Sequence, residues 1–241
     1  MPSLEIRLIG NILITILLTG IPFLWLYKRN SNSFRKIQDK NPTNQQIKME
    51  IKFGVMTLLI FSLFGVGIFY VFQMEIFRLE FGWSWMIVPQ IVILLGLHDA
   101  YFYLIHRIMH TNLLFKRAHY IHHLSHSPTP FTAFSFHPIE AFLEALIYPI
   151  LLGLFSWNAA AFLIFAALSR ILNITGHLGY DFFSRNHPNH PVLKWINTTL
   201  YHDYHHSKNS VNYGLYFNWW DRLLGTKDKN YEEIYSRYKE R

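Results

Sequence analysis

Apolar residues in this chain gather into long blocks, and the blocks have the length of a lipid bilayer. Leu8 to Tyr27 runs twenty residues without a charge, about what an α-helix needs to cross roughly 30 Å of hydrocarbon. It ends on Trp25 and Tyr27, where an interfacial aromatic belt belongs, and reads as a membrane anchor, not a cleaved leader. Phe53 to Phe72 predicts a second span, with a short return over Gln73 to Gly82. Trp83 to Ile105 predicts a third. Its second half carries His98 and Asp99, which lipid does not tolerate on an exposed face, so this helix is expected to leave the bilayer near that point. Ile139 to Thr175 is too long for one span. Ser156, Trp157 and Asn158 predict a turn that divides it into a tight hairpin of two helices, each about 25 Å at 1.5 Å per residue.

The polar segment between the first two blocks sets an orientation. Lys28 to Lys52 carries seven basic residues against Asp39 and Glu50, and the positive-inside rule puts such a loop in the cytoplasm. Counting spans from there, residues 98–138 and 177–241 fall on the same side. All fourteen histidines lie in those two segments.

Composition agrees with a membrane protein. Hydrophobic residues make up 51% and charged residues 15%, against about 25% charged in soluble proteins. A net charge of +7 raises nucleic acid as a partner, but the apolar blocks point to a membrane surface, and no nucleic-acid partner is expected. The absence of cysteine excludes disulfides, thiolate zinc sites and cysteine-ligated iron–sulfur clusters.

Histidine spacing carries the chemistry. His106 and His110 form H-x3-H; His119, His122 and His123 form H-x2-H-H; His202, His205 and His206 repeat it. Residues three and four apart share a helix face, so each cluster is expected to aim its imidazoles at one spot. A single ion takes about four to six ligands, so eight convergent histidines suit two ions. A lone histidine, or one H-H pair, is ordinarily structural; three clusters on one side of a membrane are not. His177, four residues after Asn173, is a ninth candidate ligand, with Asn173 a weak or water-mediated one. His98 reads as a group behind the ligands or beside a substrate path. His137, like His126, sits in a Pro-rich connection with either role open, and His187 and His190 read as surface turn residues. Metal-bound histidines usually donate their other ring N–H to a carboxylate or carbonyl, and Asp99, Glu140, Glu144 and Asp203 are placed to accept. The aromatic run Tyr213 to Trp220, with Tyr216 and Trp219, reads equally as a substrate channel or as an interfacial belt.

The stretches H-D-A-Y-F-Y-x2-H-R-x2-H, H-x2-H-H, P-T-P-F, F-H-P-I-E, G-H-x-G-Y and H-D-Y-H-H resemble the fatty acid hydroxylase / sterol desaturase superfamily. P-T-P-F and F-H-P-I-E lean toward its sterol C-5 desaturase-like branch. The resemblance covers roughly residues 92–226. It implies a di-iron membrane oxidoreductase that uses O2 and two electrons to hydroxylate or desaturate a lipid, with the eight box histidines and His177 as ligands. Where some hydroxylases carry a histidine before the G-H motif, this chain has Asn173. The chemistry is coherent: a lipid C–H is neither acidic nor electrophilic, so a redox metal must activate it. Imidazole also suits zinc, which stands as an alternative occupant. Without cysteine or a haem-binding segment, electrons are expected from a separate donor protein. The expected fold is all-α and polytopic, four to five transmembrane helices under a cytoplasmic histidine-rich cap. Residues 1–82 form the N-terminal helices and basic loop, 83–226 the catalytic domain, and 227–241 a charged, solvated tail. The rival reading is a divalent-metal transporter or sensor, which places its ligands along a path near the bilayer midplane; a scaffold with purely structural metals is a third.

Overall fold

The computed structural model describes residues 4–28 and 36–240; Arg29 and Arg35 of the basic segment lie outside them. Helix α1 (Leu4–Phe23) contains Pro22 and passes into a π-helical turn, Leu24–Lys28. Proline supplies no N–H for the helical ladder, which fits a local widening at that point. Helix α2 (Asn44–Gln73) begins nine residues before the apolar block, because Thr43 caps it by accepting from Gln46 N at 3.1 Å. The last part of the expected basic loop is therefore helix. Glu50 lies in that added portion, fully buried. Its carboxylate accepts from Thr129 Oγ1 (2.5 Å), Thr132 Oγ1 (2.9 Å) and Gln46 Nε2 (2.8 Å), tying α2 to the 3-10 turn Pro130–Phe134.

Helix α3 (Ile87–Met109) runs unbroken past His98 and Asp99, which turn inward at 6% and 0% exposure and so never meet lipid. Helices α5 (Pro138–Leu154) and α6 (Ala159–Gly176) divide the long apolar block where it was expected to divide. Asn158 makes the turn: its Oδ1 accepts from Ala160 N at 2.9 Å, and its Nδ2 donates to Gly82 O at 2.9 Å. The two-residue strands β1 (Leu79–Glu80) and β2 (Trp157–Asn158) pair in parallel there, fastening the two connections at that end together. Helix α5 packs chiefly on α2 and α6 on α3. Among the described residues, four helices are long and apolar enough to cross a membrane: Ile9–Tyr27, Asn44–Gln73, Ile87–Met109 and Ala159–Gly176. The chain is an all-α integral membrane protein.

At the other end the chain builds a cap. A π-helical turn, Phe115–His119, leads into the short helix α4 (Tyr120–His123). Later come α7 (Thr199–Lys208), capped by Thr198 on Tyr201 N at 3.1 Å, then α8 (Trp219–Leu223) and α9 (Tyr231–Glu240). The Tyr27 hydroxyl reaches into this cap, 2.8 Å from Pro128 O and 3.1 Å from Leu178 O. Gly179 must be glycine for that approach. Its φ is +72°, and a Cβ would collide with the Tyr27 hydroxyl and Pro128 O.

The tail is not solvated as expected. Tyr231, Tyr235 and Tyr238 recur at helical spacing on α9 and are buried at 4%, 0% and 5% against Ile37, Leu200 and Tyr201. The charged residues between them occupy the other face, which is why the segment reads as polar in one dimension. Removing residues 230–241 is expected to cost several kcal/mol, roughly 1.5–3 kcal/mol per buried aromatic side chain. The readout is a lowered melting temperature in detergent, with loss of metal bound through α7. An unchanged melting point would contradict this packing.

Candidate metal centre

Four segments bring the histidines together. Helix α3 ends with His106 and His110, the π-turn and α4 carry His119, His122 and His123, His177 closes α6, and α7 carries His202, His205 and His206. They form two groups. In one, a ring nitrogen from each of His106, His110, His119, His123 and His205 lies within 4.8 Å of all the others; His122, His177, His202 and His206 form the second on the same criterion. Eight of the nine are buried, and His110 is half-buried. The clusters therefore do not each aim at one spot, as spacing alone suggested. At about 100° per residue, positions i and i+4 lie some 40° apart while i+3 and i+4 lie 100° apart. His119 and His123 accordingly share one group and leave His122 to the other; His202 and His206 pair and leave His205.

Hydrogen bonds fix the protons. His106 Nδ1 donates to Tyr213 O (2.8 Å), His177 Nδ1 to Asn173 O (2.8 Å) and His205 Nδ1 to Val211 O (2.7 Å). A carbonyl can only accept, so each neutral ring presents a bare lone pair at Nε2. His119 Nδ1 lies 2.7 Å from Glu140 Oε1, which orients its Nε2 in the same way. Two of these atoms, Nε2 of His106 and of His119, face one another at 3.0 Å, while Nε2 of His123 approaches that of His119 at 3.0 Å and Nε2 of His202 that of His177 at 2.9 Å. Two lone pairs at such distances repel, and a cation between them turns the repulsion into ligation. The buried Nε2 atoms of His205 and His206 have no hydrogen-bond partner among the described residues. Burial, reinforced by neighbouring imidazoles, holds His119, His122, His123, His202 and His206 far below the usual histidine value, and burial brings His177 and His205 to about 4. The rings are neutral at physiological pH, the state a metal requires. The donor set fits two metal ions.

The remaining candidates sort by contact. Glu140 stands behind His119 as expected. Asn173 contributes its backbone carbonyl to His177, while its side-chain amide donates to Ala133 O at 2.7 Å and is not offered as a ligand. Asp203 supports no histidine; it accepts from Gln38 Nε2, and burial raises it to about 7 against the pull of Gln38 and Lys36. Asp99 instead accepts from Tyr216 N at 2.8 Å and Phe217 N at 3.4 Å. His98 stacks on Tyr216, and His137 Nδ1 caps α5 through Ile139 N. The aromatic run divides: Tyr216 is buried beside a cavity, whereas Trp219 stacks on Phe217 and stays 44% exposed, away from it. His190 is exposed, but His187 is buried against Phe183 and Tyr235.

Sequence reasoning missed Asp221. Fully buried, it accepts from Tyr213 N and Gly214 N (both 2.8 Å), Tyr201 Oη (2.9 Å) and Thr226 Oγ1 (2.7 Å). It thereby fixes the loop whose carbonyls at Val211 and Tyr213 hold His205 and His106. A lone acid directly after the aromatic run was the available signal.

The fold and the site together define a polytopic helical membrane protein with two histidine groups that could each hold a metal ion. The family model for fatty acid hydroxylases matches residues 91–226, and the chain belongs to that family. Its histidine clusters and that membership suggest a metal site, with iron typical of the family. The chain is 35% identical over 188 residues to lathosterol oxidase of Homo sapiens, covering 75% of this chain and 61% of the relative. It is 30% identical over 200 residues to a Delta(7)-sterol 5(6)-desaturase of Leptosphaeria maculans (80% and 53%), and 28% identical over 174 residues to methylsterol monooxygenase 1 of Danio rerio (68% and 57%). The chain thus spans about half to three-fifths of the length of these relatives. No solved structure matches it.

Two outcomes are expected. Glu140→Gln loosens the orientation of His119 and weakens metal binding roughly 10–100-fold, measured by competition with a chelator; unchanged affinity would remove Glu140 from the site. Metal-free protein is expected to lose stability on acidification. Unfolded histidines titrate near about 6.5 while the buried rings stay neutral, so the unfolded state binds more protons below that value. Stability is then fully present above about 6.5 and falls as pH drops toward 4. A melting temperature flat across that window would contradict the burial of these rings.

Proposed function

We propose that this protein is a membrane-bound, O2-dependent oxidase that uses two irons to hydroxylate or desaturate a C–H position of a lipid, a sterol or a close relative of one. The observation that carries the reading is the pair of all-histidine groups, five nitrogens and four, sharing a buried cap over apolar helices. The names of the relatives support the substrate class. Iron bound there would supply the redox chemistry toward O2 and an aliphatic C–H bond that no side chain can supply. The chain's own part is to hold nine imidazoles neutral, to keep the protons on Nδ1 of His106, His177 and His205, and to exclude water by burial. Hydroxylation consumes the C–H substrate, O2, two electrons and two protons and yields an alcohol and water; desaturation yields an alkene and two waters.

The sequence has no cysteine and no evident haem-binding segment, which favours a separate protein as the electron source. The basic residues beside the first span support a cytoplasmic cap, and the nine grouped histidines, all within residues 83–226, support that stretch as the catalytic unit. Both halves of the iron pair accept zinc as a substitute. A transporter or sensor is disfavoured because the nine histidines gather at one end of the bundle instead of along a path through it.

The first test is metal content in detergent-purified protein. His205 and His122 belong to different groups, so His205→Ala and His122→Ala should each lose about one of two irons, with loss of O2-dependent lipid oxidation in both. Metal content indifferent to both substitutions would overturn the reading.

A further inference from the structure

Directly beneath the metal groups, on the bilayer side, the helices enclose a cavity of about 50 Å³. Its position follows from the ligand-bearing helices themselves. His98 lies two turns before His106, Arg170 about two turns before His177, and Glu144 one turn after Glu140. Its wall touches the site: Phe102 packs on His106 at 4.9 Å between ring centroids, and Phe136 on His122 at 5.2 Å. The phenylalanines suit an apolar ligand. The rest of the lining does not. His98, Glu144, Tyr148, Ser169, Arg170 and Tyr216 all border the same space.

Most of these polar groups have partners. Tyr216 Oη lies 3.2 Å from His98 Nδ1, Tyr148 Oη lies 3.2 Å from Ser169 Oγ, and Arg170 donates to Asn11 Oδ1 at 2.7 Å. Glu144 is the exception. It is 8% exposed, and its buried Oε1 has no hydrogen-bond partner among the described residues. No ion pair joins it to Arg170 within the described residues. A carboxyl group placed in an apolar bundle without a partner is costly, and a ligand with a hydroxyl removes that cost. Because a glutamate and an arginine border one cavity, neither a carboxylate nor an ammonium is favoured over a neutral group that both donates and accepts. The open space holds such a polar end; the body of a lipid requires the phenylalanine walls to move.

We propose that Glu144, together with Arg170, is the specificity-determining end of the substrate cavity and binds the hydroxyl of an otherwise apolar lipid, so that the oxidised carbon lies near that hydroxyl. This rests on the lipid-oxidase reading for the identity of the ligand, but it concerns binding alone.

The test is equilibrium binding of lathosterol and of its 3-deoxy analogue to the metal-loaded full chain in lipid nanodiscs, by displacement of radiolabelled sterol. The wild type is expected to hold lathosterol at least roughly tenfold tighter, as for a buried polar group left unpaired by the analogue. Glu144→Leu should bring the ratio to about threefold or less by weakening lathosterol alone, with metal content unchanged; Glu144→Gln, which keeps a polar partner, should retain most of the preference. Equal affinity of the two sterols in the wild type, including no binding of either, overturns the proposal without any variant. So does a preference that survives Glu144→Leu, which would assign the cavity to water. A wild type that discriminates as expected but oxidises no lipid would instead remove the oxidase reading and leave the hydroxyl site standing.

Discussion

The mutual repulsion of unprotonated ring nitrogens is the constraint on which this structure turns. Nine imidazoles sit in a space where water is excluded and where, at three of them, a backbone carbonyl has already fixed which nitrogen keeps the proton. What remains between His106 and His119 is a pair of lone pairs 3.0 Å apart. The backbone alone does not make that arrangement favourable, so the surrounding fold has to hold it. Each helix that enters the cap is fastened by a buried polar contact: Glu50 to the Thr129–Thr132 turn, Tyr27 to Pro128 and Leu178, Asp221 to the loop behind His106 and His205. None of these groups faces the metal site, and all of them position what does.

A division of labour follows along the bundle axis. The bilayer end is fastened by the pairing of Leu79–Glu80 with Trp157–Asn158, and its helices pack through apolar surface. The cap end is fastened by hydrogen bonds and by tyrosine packing between α7 and α9. Between them lies the layer where His98, Glu144 and Arg170 are tolerated because they face inward. Apolar walls and one unpaired carboxyl oxygen, Glu144 Oε1, thus meet at the level where a lipid would have to approach the centre.

Much of this was legible in the sequence because it is periodic. The presence of the apolar helices, the break at Ser156–Asn158, the nine histidines and Glu140 all follow from hydropathy or helical spacing, whereas the start of α2 at Asn44 does not. Three features were not. The division of each H-x2-H-H cluster between two groups depends on a 60–100° difference in direction, which a spacing rule of three and four treats as the same face. The carbonyls of Val211, Tyr213 and Asn173 have no residue type to announce them, so Asn173 looked like a side-chain ligand when its backbone carries the role. The tail from Tyr231 to Glu240 looked solvated because its charges outnumber its tyrosines, although the tyrosines share a face. Asp203 shows the converse: although it follows His202 in the chain, it is turned about 100° from it around α7 and meets Gln38 instead of an imidazole.

The division of the clusters also sets how the centre is assembled. Helix α7 gives His205 to one group and His202 and His206 to the other, and α4 with its preceding turn does the same with His119, His123 and His122. On the two-ion reading, an ion held by either group would immobilise both short helices and so pre-order part of the cage for the second, which would raise the affinity of the second ion above that of the first.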